Sequence, residues 1–169
     1  MNIRDQALSD HSFKLLQKRV INNKEIPWFW NDHKVKENDG TDTLVHMVYR
    51  DMKILSEQFS TIHSLFSIPL NICTWFRIKV NCTWREDSSR VFGWHRDFGP
   101  CEDPIKFKDM KTAIYYCTTT NGPTVFKDSD DKIECIENRL LTFDSNKFHS
   151  GMSHTEGDAR RIVINFNYF

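Results

Sequence analysis

The sequence lacks an excess of charge of either sign, because 23 basic residues are balanced by 23 acidic ones. A dedicated nucleic-acid-binding protein normally has a strongly basic surface, so we expect no stable nucleic-acid binding. The chain also lacks a run of the roughly 20 apolar residues that a membrane-spanning helix needs. Its polar first residues lack the apolar segment of a signal peptide. We therefore expect no membrane association and a cytoplasmic, intracellular location.

Paired cysteines are missing as well. None of the five cysteines forms the Cys-x-x-Cys pair that is typical of a zinc knuckle or a redox dithiol. Isolated, reduced and mostly buried thiols are usual in an intracellular protein. Internal repeats and low-complexity segments are absent too. A domain has roughly 100–200 residues, so we predict one domain over residues 1–169.

Residues 1–70 contain two patterns of apolar residues at helical spacing. The first predicts a helix over about Ser9–Val20, with a serine suited to capping its start. The second predicts a helix over about Met52–Phe66, and a β-rich stretch predicts a strand over Thr43–Tyr49 between them. We predict that 1–70 forms a helical N-terminal support that packs on the outside of a sheet.

Residues 71–169 contain short apolar and polar alternations separated by turn signals, which favour a β sandwich or barrel. Asn121-Gly122 predicts a turn, and the segment Gly99–Met110 is long enough to act as a lid. The predicted strands are Thr74–Asn81, Val91–Asp97, Lys111–Thr118, Thr124–Phe126, Ile133–Ile136, Arg139–Phe143, Phe148–Met152 and Arg161–Phe169.

His95 and Asp97 are two residues apart in a predicted strand. Residues i and i+2 of a strand point to the same face, so both side chains can aim at one metal ion. This pair alone often occurs by chance. His149, which precedes Ser-Gly, offers a third ligand, whereas His154 lies in a polar turn and is expected to be solvated. Two imidazoles and one carboxylate are typical of non-haem ferrous oxygenases.

The last predicted strand begins with two arginines. An arginine side chain can bind a carboxylate through two parallel hydrogen bonds, which suits a dianionic co-substrate. Arg161 shares its strand face with Val163, Asn165 and Asn167, a set that suits a pocket. The opposite face carries large apolar residues. We therefore favour Arg161 over Arg160 as the cation of the pocket.

Taken in order, His95-x-Asp97, His149 and Arg161 resemble the iron- and 2-oxoglutarate-dependent dioxygenases. Within that superfamily the chain is similar to the prolyl-4-hydroxylase-like branch, especially the small stand-alone members of phages and bacteria. The resemblance covers about residues 71–169. Its local matches are Ala113-Ile114-Tyr115-Tyr116, Asn121-Gly122-Pro123-Thr124-Val125-Phe126 with Asn121 in place of a glycine, Asn138–Phe143, His149-Ser150-Gly151 and Arg161–Asn165.

The resemblance implies a mainly β fold with flanking α-helices, built on a double-stranded β-helix (jelly-roll or cupin-like) core. It implies Fe(II) held by the two histidines and the aspartate, with 2-oxoglutarate and O2 as co-substrates and ascorbate as a supporting reductant. The family couples decarboxylation of 2-oxoglutarate to succinate with hydroxylation of a C–H bond. Arg161 would bind the distal carboxylate of 2-oxoglutarate, the hydroxyls of Tyr116 and Thr124 would bind the same carboxylate, and Asn81 would line the pocket.

Several alternatives stay open. Tyr116 is as well explained as an ordinary core tyrosine, and structural roles for Thr124 and Asn81 are slightly favoured. A catalytically inactive β-helix binding module and a cupin-type metal enzyme are the alternative functions. Related halogenases have a small residue in place of the carboxylate, so Asp97 favours hydroxylation, and Asn167 stands where alkylated-base demethylases have a second arginine.

The substrate is not determined by the sequence. Residues 27–30 form an aromatic cluster that is either a core contact under the first helix or a wall of a substrate groove. A protein side chain, a nucleotide and a small metabolite all suit the predicted entrance. Its candidate residues are Trp28, Trp30, Trp84, Arg85, Arg90 and the Gly99–Met110 segment.

Overall fold

The computed structural model describes residues 1–32, 41–97 and 107–169. Two short helices are present, α1 (Asp10–Leu16), which continues into a π-helical turn (Gln17–Ile21), and α2 (Phe59–Phe66). The strands are β1 (Asn2–Arg4), β2 (Phe29–Asn31), β3 (Thr43–Arg50), β4 (Lys53–Ile54), β5 (Trp75–Trp84), β6 (Lys111–Tyr116), β7 (Thr120–Phe126), β8 (Lys132–Cys135), β9 (Arg139–Asp144), β10 (His149–Gly151) and β11 (Arg160–Tyr168).

Two antiparallel sheets face one another. The larger has the order β1-β9-β6-β11-β5-β3-β2, with β4 paired to β3, and the smaller has the order β10-β7-β8. Isolated bridges join Val91 to Met152 and His95 to His149, which places the segment 91–97 beside β10 at the edge of the smaller sheet. The predicted fold class, mainly β with flanking helices and a jelly-roll core, is confirmed.

Side-chain alternation on the larger sheet separates two apolar clusters. On the outer face, Ile78 and Ile164 pack with the helix residues Leu16 and Phe66. This agrees with the prediction that the helices cover the outside of a sheet. On the inner face, residues such as Tyr116 pack against the smaller sheet. The candidate site lies on this inner side, where the polar residues of β5 and β11 alternate with the apolar ones.

The segment 1–70 is less helical than predicted, because β1 to β4 all join the larger sheet. The predicted cap is present, since the Ser9 hydroxyl accepts the Ser12 N–H at 3.3 Å. The second helix begins at Phe59 rather than Met52. Asp51 and Met52 adopt positive φ angles of 52° and 58°, which form a tight turn and allow β4 to pair with β3. Apolar spacing alone did not reveal this turn.

Two further predictions were wrong in detail. Val91–Asp97 forms only isolated bridges instead of a regular strand. Asn121-Gly122 lies inside β7 and not in a turn, because the Asn121 side chain forms hydrogen bonds with Thr155 and holds the chain extended.

Most of the predicted lid Gly99–Met110 lies outside the described residues. Among the residues the structure describes, no helix has the length and apolar character needed to cross a membrane.

Candidate metal and co-substrate site

His95, Asp97 and His149 lie together between the two sheets. One potential ligand atom from each lies within 4.8 Å of the other two. The two imidazole rings are 4.4 Å apart between centroids, and His149 Nε2 is 3.9 Å from Asp97 Oδ2. The backbones of His95 and His149 exchange two hydrogen bonds of 3.1 and 3.0 Å. This bridge explains how residues 54 positions apart in the chain come together at one point.

Both histidines have one ring nitrogen engaged with the backbone. His95 Nδ1 lies 3.1 Å from the carbonyl oxygen of Gly93, and His149 Nδ1 lies 3.1 Å from that of Lys147. A carbonyl oxygen only accepts hydrogen bonds, so each Nδ1 is the protonated nitrogen. In the neutral form of each ring, Nε2 is then the nitrogen that can bind a metal. A hydrogen bond of this kind on the second ring nitrogen is usual for metal-binding histidines.

A ring of hydrogen bonds holds the Asp97 carboxylate. Arg77 Nη2 donates to Oδ1 at 2.8 Å, and the Thr112 hydroxyl donates to Oδ2 at 2.6 Å. Asn167 closes the ring, because its nitrogen donates to Thr112 Oγ1 at 3.0 Å and its oxygen accepts from Arg77 Nε at 2.9 Å. These contacts, which we call the Asp97 ring, fix the orientation of the carboxylate toward the two histidines.

Asp97 is anionic at neutral pH. Burial by itself would raise the pKa of its carboxyl group. The neighbouring His149, Arg77 and His95 and the hydrogen bond from Thr112 outweigh burial and hold this pKa well below its usual value. The site thus offers two imidazole nitrogen donors and one anionic oxygen donor. This donor set, with room for further ligands, fits a divalent non-haem iron ion.

A cavity adjoins His95 and His149 and extends along the inner face of β5 and β11. Its lining includes Lys79, Asn81, Thr124, Arg161, Val163 and Asn165. Three of the four residues predicted to bind the co-substrate therefore line one cavity with His95 and His149. The fourth, Tyr116, contacts this group through its hydroxyl, which donates to Thr124 Oγ1 at 2.7 Å.

Arg161 lies inside the molecule, with only 3% of its surface exposed, whereas Arg160 is exposed. The prediction that Arg161, and not Arg160, points into the molecule is thus confirmed. Arg161 Nε donates to the carbonyl oxygen of Gly122 at 2.9 Å, and its Nη2 lies 3.4 Å from Thr124 Oγ1. Residues 152–154 also pack closely on Gly122, and this approach needs a glycine because a Cβ on Gly122 would lie 2.7 Å from the carbonyl oxygen of Met152.

Burial raises the pKa of Tyr116 to about 12, although Arg161 and the hydrogen bond with Thr124 act in the opposite direction. The phenol is therefore protonated at neutral pH and acts as a donor to Thr124. Because Thr124 Oγ1 accepts this hydrogen bond, its own proton is free to bond a ligand in the cavity.

The prediction that His154 is solvated was wrong. It is fully buried, its Nε2 lies 3.1 Å from the carbonyl oxygen of Asp158, and its Nδ1 has no partner among the described residues. Burial lowers its pKa. The segment 152–158 folds over β7, with Met152 N donating to the carbonyl oxygen of Pro123 at 2.9 Å. His154 does not join the candidate ligand group.

Some functional side chains were not predicted. Arg77 and Lys79 share a strand face with Asn81, so the alternation of β5 was a signal that could have identified both. Thr112 carried no such signal, since only the pairing of β6 with β11 brings it to Asn167. Its role depends on contacts between distant parts of the chain.

The predicted entrance residues do not form one surface. Trp28 packs against the buried His46, with ring centroids 6.3 Å apart, which favours the core-contact interpretation for this residue. Trp30 is 60% exposed and stacks on Trp84 at 5.9 Å. Arg85 donates to the carbonyl oxygen of Gly157. Arg90 forms an ion pair with Glu86 at 2.8 Å.

Comparison with known proteins gives matches at the level of structure. No family model matches the sequence, and no curated protein matches it. An oxidoreductase of the 2OG-Fe(II) oxygenase family from Burkholderia pseudomallei superposes with a TM-score of 0.69 at 10% identity, covering 97% of this chain and 81% of that one.

Two prolyl hydroxylases have the same fold. The viral collagen prolyl hydroxylase of Paramecium Bursaria Chlorella virus-1, in its 2OG complex, gives a TM-score of 0.64 at 18% identity, covering 98% of this chain and 93% of that one. The Trichoplax adhaerens prolyl hydroxylase, in complex with a hypoxia inducible factor peptide, gives 0.66 at 15% identity, with coverage of 99% and 82%. The chain therefore has the fold of the 2OG-Fe(II) oxygenases, prolyl hydroxylases among them, as the resemblance implied.

Proposed function

We propose that the protein is an Fe(II)- and 2-oxoglutarate-dependent oxygenase of the prolyl-hydroxylase-like branch, which hydroxylates a C–H bond of its substrate and converts 2-oxoglutarate to succinate. The observation that carries the proposal is the presence of His95, His149 and Arg161 in one cavity, with Asp97 beside them. A binding module has no need of this complete set. A cupin-type metal enzyme has no need of the buried arginine.

His95, Asp97 and His149 would hold the Fe(II) ion. Bound Fe(II) supplies the redox chemistry by which O2 and 2-oxoglutarate react. The Arg161 guanidinium would bind the distal carboxylate of 2-oxoglutarate, because it is a permanent cation inside the cavity. The Thr124 hydroxyl would donate a further hydrogen bond to this carboxylate, with Tyr116 holding it in place. Asn81 would offer its amide to the same ligand.

Anaerobic addition of Fe(II) and then 2-oxoglutarate tests this proposal. We expect a metal-to-ligand charge-transfer absorption band, because a 2-oxo acid that chelates Fe(II) gives such a band. Zn(II) in place of Fe(II) is the control and should give none. If folded protein binds Fe(II) but shows no band with 2-oxoglutarate, the inactive binding module is the better interpretation. If the band is present, the next measurement is the release of succinate in the presence of panels of candidate substrates.

Weakening the Asp97 ring should lower metal affinity while the fold persists. We expect Thr112→Val to reduce Fe(II) or Mn(II) affinity by about 10–100-fold, because residues that orient a ligand typically have effects of this size. The reason is that Thr112 holds Asp97 Oδ2 at 2.6 Å. Titration of metal into the metal-free protein measures the change.

Thr83→Val is the matched control for Thr112→Val. Thr83 lies on β5 of the same sheet, separated from β6 by β11. It is also buried, and its hydroxyl has no partner among the described residues. We expect its metal affinity to stay within about threefold of the wild type, far below the change that loss of an orienting residue gives. Equal losses in the two variants would show that the Asp97 ring does not support the metal site.

A further inference from the structure

Lys79 lies on β5 and lines the same cavity as His95 and His149. It shares a strand face with Arg77 and Asn81, because residues i and i+2 of a strand point the same way. Its partner in the neighbouring strand β11 is Asn165, which lines the same cavity. None of the roles proposed above uses Lys79.

Lys79 has no hydrogen bond or ion pair with any residue that the structure describes. The carboxylate of Asp97 is already engaged by Arg77 and Thr112. Burial lowers the pKa of Lys79 to about 8. Arg77 acts in the same direction, and the nearby Asp97 acts in the opposite direction. The ammonium group is nevertheless mostly protonated at neutral pH. Lys79 is half-buried, and a partly desolvated cation without an anionic partner is unfavourable, so an anionic ligand would stabilise it.

The neighbouring Asn165 also lacks a partner. Its side-chain oxygen is buried and forms no hydrogen bond with a described residue. Lys79 and Asn165 thus present two unmatched polar groups to the same part of the cavity. Buried polar groups normally have partners. Lys79 Nζ donates hydrogen bonds and Asn165 Oδ1 accepts them, so a polar ligand with both an acceptor and a donor group would satisfy the two.

The co-substrate does not account for the charge of Lys79. Under the proposed function, one carboxylate of 2-oxoglutarate is bound by the metal and the other by Arg161. Asp97 and Arg77 balance each other, and the two carboxylates balance a divalent ion. The positive charges of Arg161 and Lys79 then remain unbalanced. An anionic group in addition to the two carboxylates of 2-oxoglutarate is therefore needed beside Lys79.

We infer that the molecule oxidised at this site carries a carboxylate or phosphate group that pairs with Lys79, which makes Lys79 a residue that determines substrate specificity. The inference rests on the proposed function for the placing of 2-oxoglutarate. It narrows the candidate substrates to those with an anionic group within reach of the C–H bond that is oxidised.

Titration of small anions into Zn(II)-loaded protein saturated with 2-oxoglutarate tests the inference without turnover. Acetate serves as the carboxylate probe and inorganic phosphate as the phosphate probe. Isothermal titration calorimetry measures the affinity of the protein for each. We expect one of them to bind the wild-type protein and to bind Lys79→Met at least tenfold more weakly. The anion with the larger loss identifies the group. Lys79→Arg keeps the charge and should retain most of the binding.

Two controls separate the inference from its alternatives. Arg85→Met removes an exposed cation outside the cavity and should leave anion binding unchanged. The affinity for 2-oxoglutarate should change less than threefold in Lys79→Met. An equal loss of 2-oxoglutarate binding would assign Lys79 to the co-substrate and overturn the inference. Anion binding that is absent from the wild type or unaffected in Lys79→Met would overturn it as well.

Thermal unfolding checks the fold of each variant. Lys79→Met should raise Tm, because it removes a cation without an ion-pair partner from a half-buried position. Lys79→Gln provides a second uncharged variant. The same titrations without 2-oxoglutarate test Lys79 even if the proposed function fails. In that case the wild type would not bind 2-oxoglutarate, whereas anion binding that depends on Lys79 would persist.

Discussion

His149→Ala is expected to lose Fe(II) binding by more than about 100-fold and to form no succinate. Even residues that only orient a ligand change metal affinity by about 10–100-fold, and His149 offers a ligand atom directly. Its Nε2 has a free lone pair and lies 3.9 Å from Asp97 Oδ2. Metal content after dialysis and succinate formation measure the two losses.

His154→Ala is the matched control for His149→Ala. Both histidines are buried and only five residues apart, yet His154 lies outside the ligand group. We expect His154→Ala to retain metal binding and to change mainly stability. If His154→Ala abolished metal binding while His149→Ala did not, the assignment of the third ligand would be wrong. Asp97→Asn, which keeps the size of the side chain, should behave like His149→Ala.

Arg161→Ala is expected to weaken the binding of 2-oxoglutarate far more than that of the metal. Loss of one partner of a buried, hydrogen-bonded charge pair costs about 2–5 kcal/mol, which corresponds to a roughly 30-fold to several-thousand-fold loss of affinity. The charge-transfer band titrated with 2-oxoglutarate measures this change. Fe(II) affinity should stay near that of the wild type, because Arg161 contacts none of the three proposed ligands.

Two variants control the Arg161 experiment. Arg160→Ala removes the adjacent arginine, which is exposed, and should leave 2-oxoglutarate affinity nearly unchanged. Arg161→Lys keeps the charge but loses the two parallel donors of the guanidinium, so an intermediate loss is expected. Equal effects of Arg160→Ala and Arg161→Ala would contradict the assignment of Arg161 to the co-substrate.

The order of the site residues and the side on which Arg161 lies could be predicted from the sequence. Both depend on local geometry, since residues two apart on a strand share a face. The same rule places Val163 and Asn165 in the cavity with Arg161. The resemblance added the fold and the proposed roles of Tyr116 and Thr124, which the structure brings into contact.

Other features could not be predicted because they depend on contacts between distant segments. His154 has the local sequence of a solvated turn, and only the packing of residues 152–158 over β7 buries it. The segment 1–70 has helical spacing, but its strands form through pairing with β5 and β9. Val91–Asp97 alternates like a strand, yet it has only isolated bridges.

Which side chains can bind a metal, and that Arg161 faces the inside of the molecule, could be predicted from the sequence, because side-chain chemistry and strand alternation are local properties. That Arg77, Thr112 and Asn167 hold Asp97 is visible only in the tertiary structure. The tertiary structure also decided that Lys79 faces the cavity with no hydrogen bond or ion pair to a residue that the structure describes. The physical reason is that hydrogen bonds and charge balance depend on strand register and sheet packing, which bring together residues far apart in the chain.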